Sequence, residues 1–366
     1  MKSQTSLVCF CLLVGAQSTL SADYIGESKA PLVLPSQAIE VSYQYKAMNN
    51  TLDVFNVKQS EFGSSNTLQT NGLGDYTAHK IVTNYSPTAN SLINFNLSSQ
   101  AIGYGSSTLD VLSYGGYGRY IFKPSSLVTV GVDVGVRGNK GKKVSMSSAT
   151  DIQYYLNNLG KNITASETND YLWLTKNYDN LSLSAGFPKN KNPEISIDNM
   201  SDQTFYGRTS IAMAFETFSP SFYIEMGHTA ISTTIDTNMD DIAGNSFRDL
   251  FTTYTNFPIS LNRNENYASA GFNLAINTPF NTTLTTNYEY KKLFRENGLN
   301  FLNTNHTLEM LLSYAVTPEL GVHVGGMYLY RQFNGNIPFL YNQYSQTSFD
   351  HPFGWCQVGI NYTFKN

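Results

Sequence analysis

Cysteine is nearly missing from this chain of 366 residues, which has only Cys9, Cys11 and Cys356. The first two fall in an N-terminal stretch expected to be cut away, so no intramolecular disulfide remains. That excludes the disulfide-stapled secreted domains, whose loops depend on such bridges. Charge is sparse, at 14% of residues, and the formal net charge is −4. No basic patch is available to neutralise phosphates, and nucleic acid is excluded as a partner. Long apolar runs are also missing. The run at 7–16 is ten residues long, well short of the ~18 or more that a helix needs to cross a bilayer. No longer one follows, so a helical membrane protein is excluded.

What is present begins with "MKSQTSLVCFCLLVGAQSTLSADY". Lys2 precedes the apolar run, and small residues follow it, with cleavage expected after Ser21 or Ala22. Residues 1–22 read as a secretory signal peptide. Residues 23–36 read as an N-terminal periplasmic segment, whose "APLVLP" is placed to enter whatever follows. Aromatic residues are abundant, with 25 Tyr and 22 Phe, which favours strands over helices.

The stretch "LVTVGVDVGVRG" shows what kind of strands. Val128, Val130, Val132, Val134 and Val136 alternate with Thr129, Gly131, Asp133, Gly135 and Arg137. Successive side chains of a strand point to opposite faces, so one face is valine and the other small, polar and charged. An exported chain with only this weak alternating pattern can cross a membrane as a closed barrel. Hairpin units recur along residues 37–366, with Pro, Asn and Asp at their turns. They predict an all-β, antiparallel transmembrane β-barrel of about fourteen strands. Two of the fourteen are "YLWLTKNY" and "LSLSAGF". Short periplasmic turns alternate with long extracellular loops carrying short helices, and both termini lie on the short-turn side. Tyr85, Tyr120, Phe122, Tyr178, Phe215, Phe218, Phe222 and Tyr362 sit beside the short turns as an aromatic girdle.

Strand parity, set from the apolar residues alone, sends the charged residues to the other face. The expected lumen-lining set is Glu40, Lys80, Arg119, Asp133, Arg137, Arg208, Glu225, Glu289, Lys291 and Arg331. Asp133 needs a partner on a neighbouring strand, and Arg119 is placed to supply it. In the last strand Val358, Ile360, Tyr362 and Phe364 share one parity. This resembles the C-terminal assembly signal of Gram-negative outer-membrane barrels, although Lys365 and Asn366 follow Phe364. The resemblance implies the outer membrane as location, its lipid and lipopolysaccharide as surroundings, and the barrel-assembly machinery as partner.

Two loops contain helix patterns. One has a Thr150 cap, apolar Ile152, Tyr155, Leu156 and Leu159, and Gly160 as a stop. The other has Phe247, Leu250, Phe251 and Tyr254 on one stripe. Such stripes either pack on each other above the pore or capture a hydrophobic ligand, for which Tyr155, Leu156, Phe247, Leu250, Phe251 and Tyr254 are the candidates. Fourteen strands with helical extracellular loops resemble the long-chain fatty-acid transporter family. Gly72-Leu73-Gly74-Asp75 is similar to the strand opening of the phenol-degradation meta-pathway outer-membrane family. Both resemblances imply a channel or transporter for passive uptake of small molecules, hydrophobic or aromatic ones included. The alternatives are a structural or adhesive barrel and, further off, an outer-membrane hydrolase. No His-Ser-Asn or Asp-His arrangement of such hydrolases is legible, and no catalytic residue, metal ligand or cofactor is expected. The acidic stretch at 236–241 lacks the glycine and closing glutamate of a calcium loop and reads as solvated.

Overall fold

A computed structural model describes residues 25–48, 73–104, 107–158, 163–239, 259–278, 280–296 and 298–365. Twelve antiparallel strands close into a barrel. In order around the wall they are β1 (Ile39–Met48), β2 (Leu73–Thr88), β3 (Ser91–Tyr104), β4 (Ser107–Phe122), β5 (Val128–Gly141), β10 (Ile195–Met213), β11 (Phe218–Thr237), β13 (Arg263–Thr278), β14 (Thr282–Phe294), β15 (Thr304–Ala315), β16 (Leu320–Leu329) and β17 (Phe353–Phe364). The seam closes where β1 pairs with β17, Ile39 opposite Phe364. Two short strands, β6 (Val144–Met146) and β12 (Ile259–Ser260), add to the loop ends of β10 and β11.

The expected strand count is therefore corrected from about fourteen to twelve in the wall. "YLWLTKNY" and "LSLSAGF" do form a hairpin, β8 (Tyr171–Tyr178) and β9 (Leu181–Pro188). It pairs with β7 (Ile163–Glu167) in a separate three-stranded sheet inside the connection from β5 to β10. Each strand of the hairpin has eight residues, below the ~9–11 that a tilted membrane strand needs. Tyr178 ends β8 and leaves the girdle with it.

The outer face is apolar where a soluble protein would be polar. Val132 and Val134 are 41% and 71% exposed, while Asp133 between them is 0% exposed. Ile81, Phe95, Leu97, Phe205, Ile224, Met226, Val324 and Ile360 share the outward face with the valines. Tyr85, Tyr120, Phe122, Phe215, Phe218, Phe222 and Tyr362 are exposed beside the short turns. A closed wall, an apolar outer band, an aromatic girdle, and short turns opposite long loops are the architecture of an outer-membrane β-barrel.

With lipid outside and a mainly polar lumen, in which Ile25 and Leu34 of the N-terminal segment cluster with Leu92, Tyr117 and Tyr206, the larger apolar cores lie elsewhere. One fills the loop end of the barrel, where the β16–β17 connection folds inward. Phe333, Ile337, Phe339, Tyr341 and Phe349 from that connection pack on Tyr76, Ile102, Met200 and Trp355 of the wall. Asn334 fastens it: its Oδ1 accepts from Arg295 Nη2 (2.8 Å), and its carbonyl accepts from Asn305 Nδ2 (2.9 Å). A second core joins α1 (Ala149–Asn158) to the β7–β9 sheet. There Ile152, Tyr155 and Leu156 are buried against Leu172, Leu174 and Phe187. The cap of α1 is Ser148, whose Oγ accepts from the Asp151 N–H (3.2 Å). Thr150 instead lies inside the first turn.

The described part of the segment expected in the periplasm, residues 25–36, runs inside the barrel. The Ile25 and Gly26 N–H groups donate to the Glu40 carboxylate (3.1 and 3.0 Å), and Asn84 Nδ2 donates to the Gly26 carbonyl (2.9 Å). On the next part of the wall Arg119 donates to the carbonyls of Ser28, Ala30 and Leu32. Lys29 then reaches Glu289 of β14, diametrically opposite β3 in the strand order. The segment is a plug crossing the lumen.

Candidate functional site: the barrel lumen

Inward parity on four consecutive wall strands places Arg119 (β4), Asp133 (β5), Arg208 (β10) and Glu225 (β11) at one level. Arg119 lies directly opposite Asp133, Asp133 opposite Arg208, and Arg208 opposite Glu225. The side chains form a ladder. Arg119 Nε reaches Asp133 Oδ1 at 2.8 Å, Arg208 Nη1 reaches Asp133 Oδ2 at 2.9 Å, and Arg208 Nη2 reaches Glu225 Oε2 at 2.7 Å. Arg137 joins at Glu225 Oε1, 3.2 Å away. Charges this deep persist only when paired and hydrogen-bonded. Three guanidinium groups share two carboxylates here. Farther round the wall Lys29 and Lys291 share Glu289 in the same way.

Inward tyrosines pad the ladder. Tyr206, Tyr223 and Tyr267 each lie opposite a glycine of the neighbouring strand: Gly135, Gly271 and Gly227. A Cβ at any of these glycines would run into the tyrosine ring, so glycine lets the rings lie flat along the wall. Arg137 is held between Tyr206 and Tyr267, 5.1 and 5.2 Å from their ring centres. Tyr267 donates to Glu225 (2.7 Å) and accepts from Arg137 Nη2 (2.8 Å).

Between the plug and the infolded β16–β17 connection lies a cavity of about 720 Å³. All twelve wall strands contribute to its lining. Lys29 and Leu32 of the plug border it, and Phe333 and Ile337 border its loop end. Along β13, β14 and β15 the lining continues past the plug to Asn277 and Asn281 beside a short turn. Trp355 carries Lys46 against its ring at 5.5 Å.

Of the ten residues expected to line the lumen, Lys80, Arg137, Arg208, Glu289 and Lys291 border this cavity. Glu40, Arg119, Asp133 and Glu225 also point inward, but each is at most 2% exposed and lies outside the cavity lining. Arg331 is a correction: β16 ends at Leu329, and Arg331 lies in the infolded connection, ion-paired with Asp350. Tyr155 and Leu156 are corrected as well. They are 3% and 1% exposed, buried in the loop's own core and unable to capture a solute. Phe247, Leu250, Phe251 and Tyr254 lie outside the described residues, as do residues 1–24. The sequence reading missed Glu27, which pairs with Lys80, and Lys29. Both sit in "GESK", before the alternation starts, where parity has nothing to report.

No protein-family model matches the chain, and no curated protein matches it in sequence. Solved structures do share its barrel form. The chain is similar to the translocator domain of the autotransporter NalP from Neisseria meningitidis, at 6% identity over 90% of both chains with a TM-score of 0.48. It is similar to the KdgM porin in complex with disordered oligogalacturonate, at 8% identity over 90% of this chain and 99% of that one, TM-score 0.39. It is also similar to the toluene transporter TbuX of Ralstonia pickettii, at 9% identity over 92% of both, TM-score 0.40. At such identities and scores these likenesses assign no substrate.

Proposed function

We propose that the chain is a channel or transporter of the outer membrane of a Gram-negative bacterium, passing small solutes through its lumen past a movable N-terminal plug. The observation that carries this is the lumen cavity, lined from all twelve wall strands and continued past the plug along Thr283, Thr285 and Asn287. A wall that served only as an anchor has no need of such a space. The lining supports polar solutes over the hydrophobic ones expected from the loop stripes. Lys29, Lys46, Lys80, Arg137, Glu289 and Lys291 border it, and an apolar solute would strip these groups of water without replacing their hydrogen bonds. The role proposed is transport, with no catalytic step.

The plug buries Ile25 and Leu34 beside Leu92 and inward tyrosines of the wall, and is otherwise held by polar contacts, through Glu40, Arg119 and Glu289. Such contacts exchange for water at modest net cost, near 1 kcal/mol each when neutral and somewhat more when charged. Removing residues 25–34 while keeping the export signal tests the reading. Single-channel steps of the purified protein in planar bilayers are expected to grow several-fold on deletion. If neither form conducts nor swells liposomes with small sugars, the channel reading fails and the structural or adhesive alternative takes its place.

A further inference from the structure

We infer that Arg137 is an oxyanion-binding site for solutes in the lumen, built to hold a small organic carboxylate. The inference rests on the lumen being a solute path.

Arg137 differs from its neighbours in the ladder. Arg119 is spent: Nε and Nη2 go to Asp133, and Nη1 goes to plug carbonyls. Arg208 is likewise divided between Asp133 and Glu225, and its side chain is 3% exposed. Arg137 is tied by Nη2 alone, to Tyr267 and Glu225, and its side chain remains 33% exposed. Nε and Nη1 have no partner among the described residues. Since Arg137 borders the cavity, these N–H groups are presented to whatever enters it.

The surroundings hold the guanidinium ready. The rings of Tyr206 and Tyr267 flank it, and Tyr267 anchors one end, so little side-chain freedom remains to be lost on binding. Gly115 on the neighbouring strand opposes Arg137. A Cβ there would approach the Asn96 amide to 3.1 Å and Arg137 Cβ to 3.3 Å, so glycine keeps the floor of the site low. Asn96 supplies an amide beside it.

Charge balance favours an anion of one charge. Asp133 and Glu225 answer two of the three guanidinium groups of the ladder, which leaves one positive charge over at Arg137. Lys29 and Lys291 on Glu289 leave another across the lumen. The remaining acids on the lining are engaged or distant from this stretch. Glu27 pairs with Lys80, Glu309 accepts from Gln357, Asp202 accepts from Asn139, and Glu216 lies at a short turn. A carboxylate suits a planar donor set in a partly desolvated wall.

Gluconate and sorbitol share a carbon skeleton and differ in the carboxylate, which makes them matched probes. Saturation-transfer NMR on the detergent-solubilised wild type is expected to show gluconate binding in preference to sorbitol. Arg137→Gln should weaken gluconate about tenfold or more, the loss expected of a charge-assisted hydrogen bond, and leave sorbitol unchanged. Arg137→Lys should restore part of it. Heat-modifiable gel mobility confirms that each variant is folded, and Tyr267→Phe, which keeps every charge but leaves Nη2 held by Glu225 alone, should weaken gluconate less than Arg137→Gln does. Gluconate binding that is equal in wild type and Arg137→Gln overturns the inference, as does equal binding of the two probes. Liposome swelling separates this from the channel reading. Gluconate binding without permeation supports the site and counts against transport, whereas permeation of both probes at rates Arg137→Gln does not alter overturns the site and leaves transport standing.

Discussion

Val132 and Asp133 are neighbours in the chain and face opposite media. Val132 meets lipid, and Asp133 sits under the plug between Arg119 and Arg208. Substitutions at the two should both destabilise, for different reasons. Val132→Lys sets a cation against hydrocarbon, costing ~2–4 kcal/mol near the bilayer middle. Asp133→Ala strands two guanidinium groups in a buried ladder, at about 3–5 kcal/mol. Thr129→Lys, inward and near the barrel mouth, should cost far less than either. Urea unfolding in lipid vesicles orders the three, and a Thr129→Lys cost equal to that of Val132→Lys would reverse the assigned faces. At this scale the sequence was informative because strand periodicity is local. Parity alone sent Asp133 inward and singled out Arg119 as its partner. It placed Arg137 inward too, but said nothing of Tyr206 and Tyr267 beside it, because those rings reach Arg137 across strand neighbours far apart in the chain.

Elements in the loops obey different forces. The α1 helix and the β7–β9 sheet stand outside the membrane and must bury their own apolar residues, so Tyr155 and Leu156 turn into a small core rather than toward a solute. Glu167 of β7 ties this unit together. It accepts from the Ala149 N–H at the start of α1 (2.8 Å) and pairs with Lys189 (2.9 Å). The Ala149 N–H, and secondarily Lys189, hold its carboxyl below the usual carboxylate range. A lowered folded-state pKa means that the stabilisation is complete above the unfolded value, about 4.3, and is lost as pH falls through the lowered one. Glu167→Gln should therefore make the 148–167 segment more open to proteolysis at pH 6. The difference from wild type should shrink as pH falls through that lowered value and vanish once both carry an uncharged side chain. A difference that persists unchanged at the acid end would show that the charge of Glu167 is not what docks the helix. The sequence contained the helix pattern, but not which of two surfaces its stripe meets. An apolar stripe reports that it must be covered and is silent on by what.

The whole molecule depends on one seam. β17 carries Val358, Ile360, Tyr362 and Phe364 outward, 43–53% exposed, and closes the ring by pairing with β1. Phe364, opposite Ile39 at the short-turn end, is the last apolar contact before the chain leaves the wall. If the barrel-assembly machinery reads this strand, Phe364→Ser should lower the amount of folded protein in outer-membrane fractions several-fold, while refolding of the purified variant into detergent changes little. Equal losses in both would make Phe364 a stability residue instead. Residue alternation by itself determined that this chain forms two-faced strands, which face of each is apolar, and that a closed barrel must result, because an open edge has no partners in lipid. It did not determine the number of strands, since "YLWLTKNY" alternates much as a wall strand does and only long-range pairing excludes it. The plug and the ion-pair ladder were likewise decided by tertiary structure. Lys29 and Glu289, paired in the lumen, stand 260 residues apart in the chain, and no local pattern encodes a distance across the lumen.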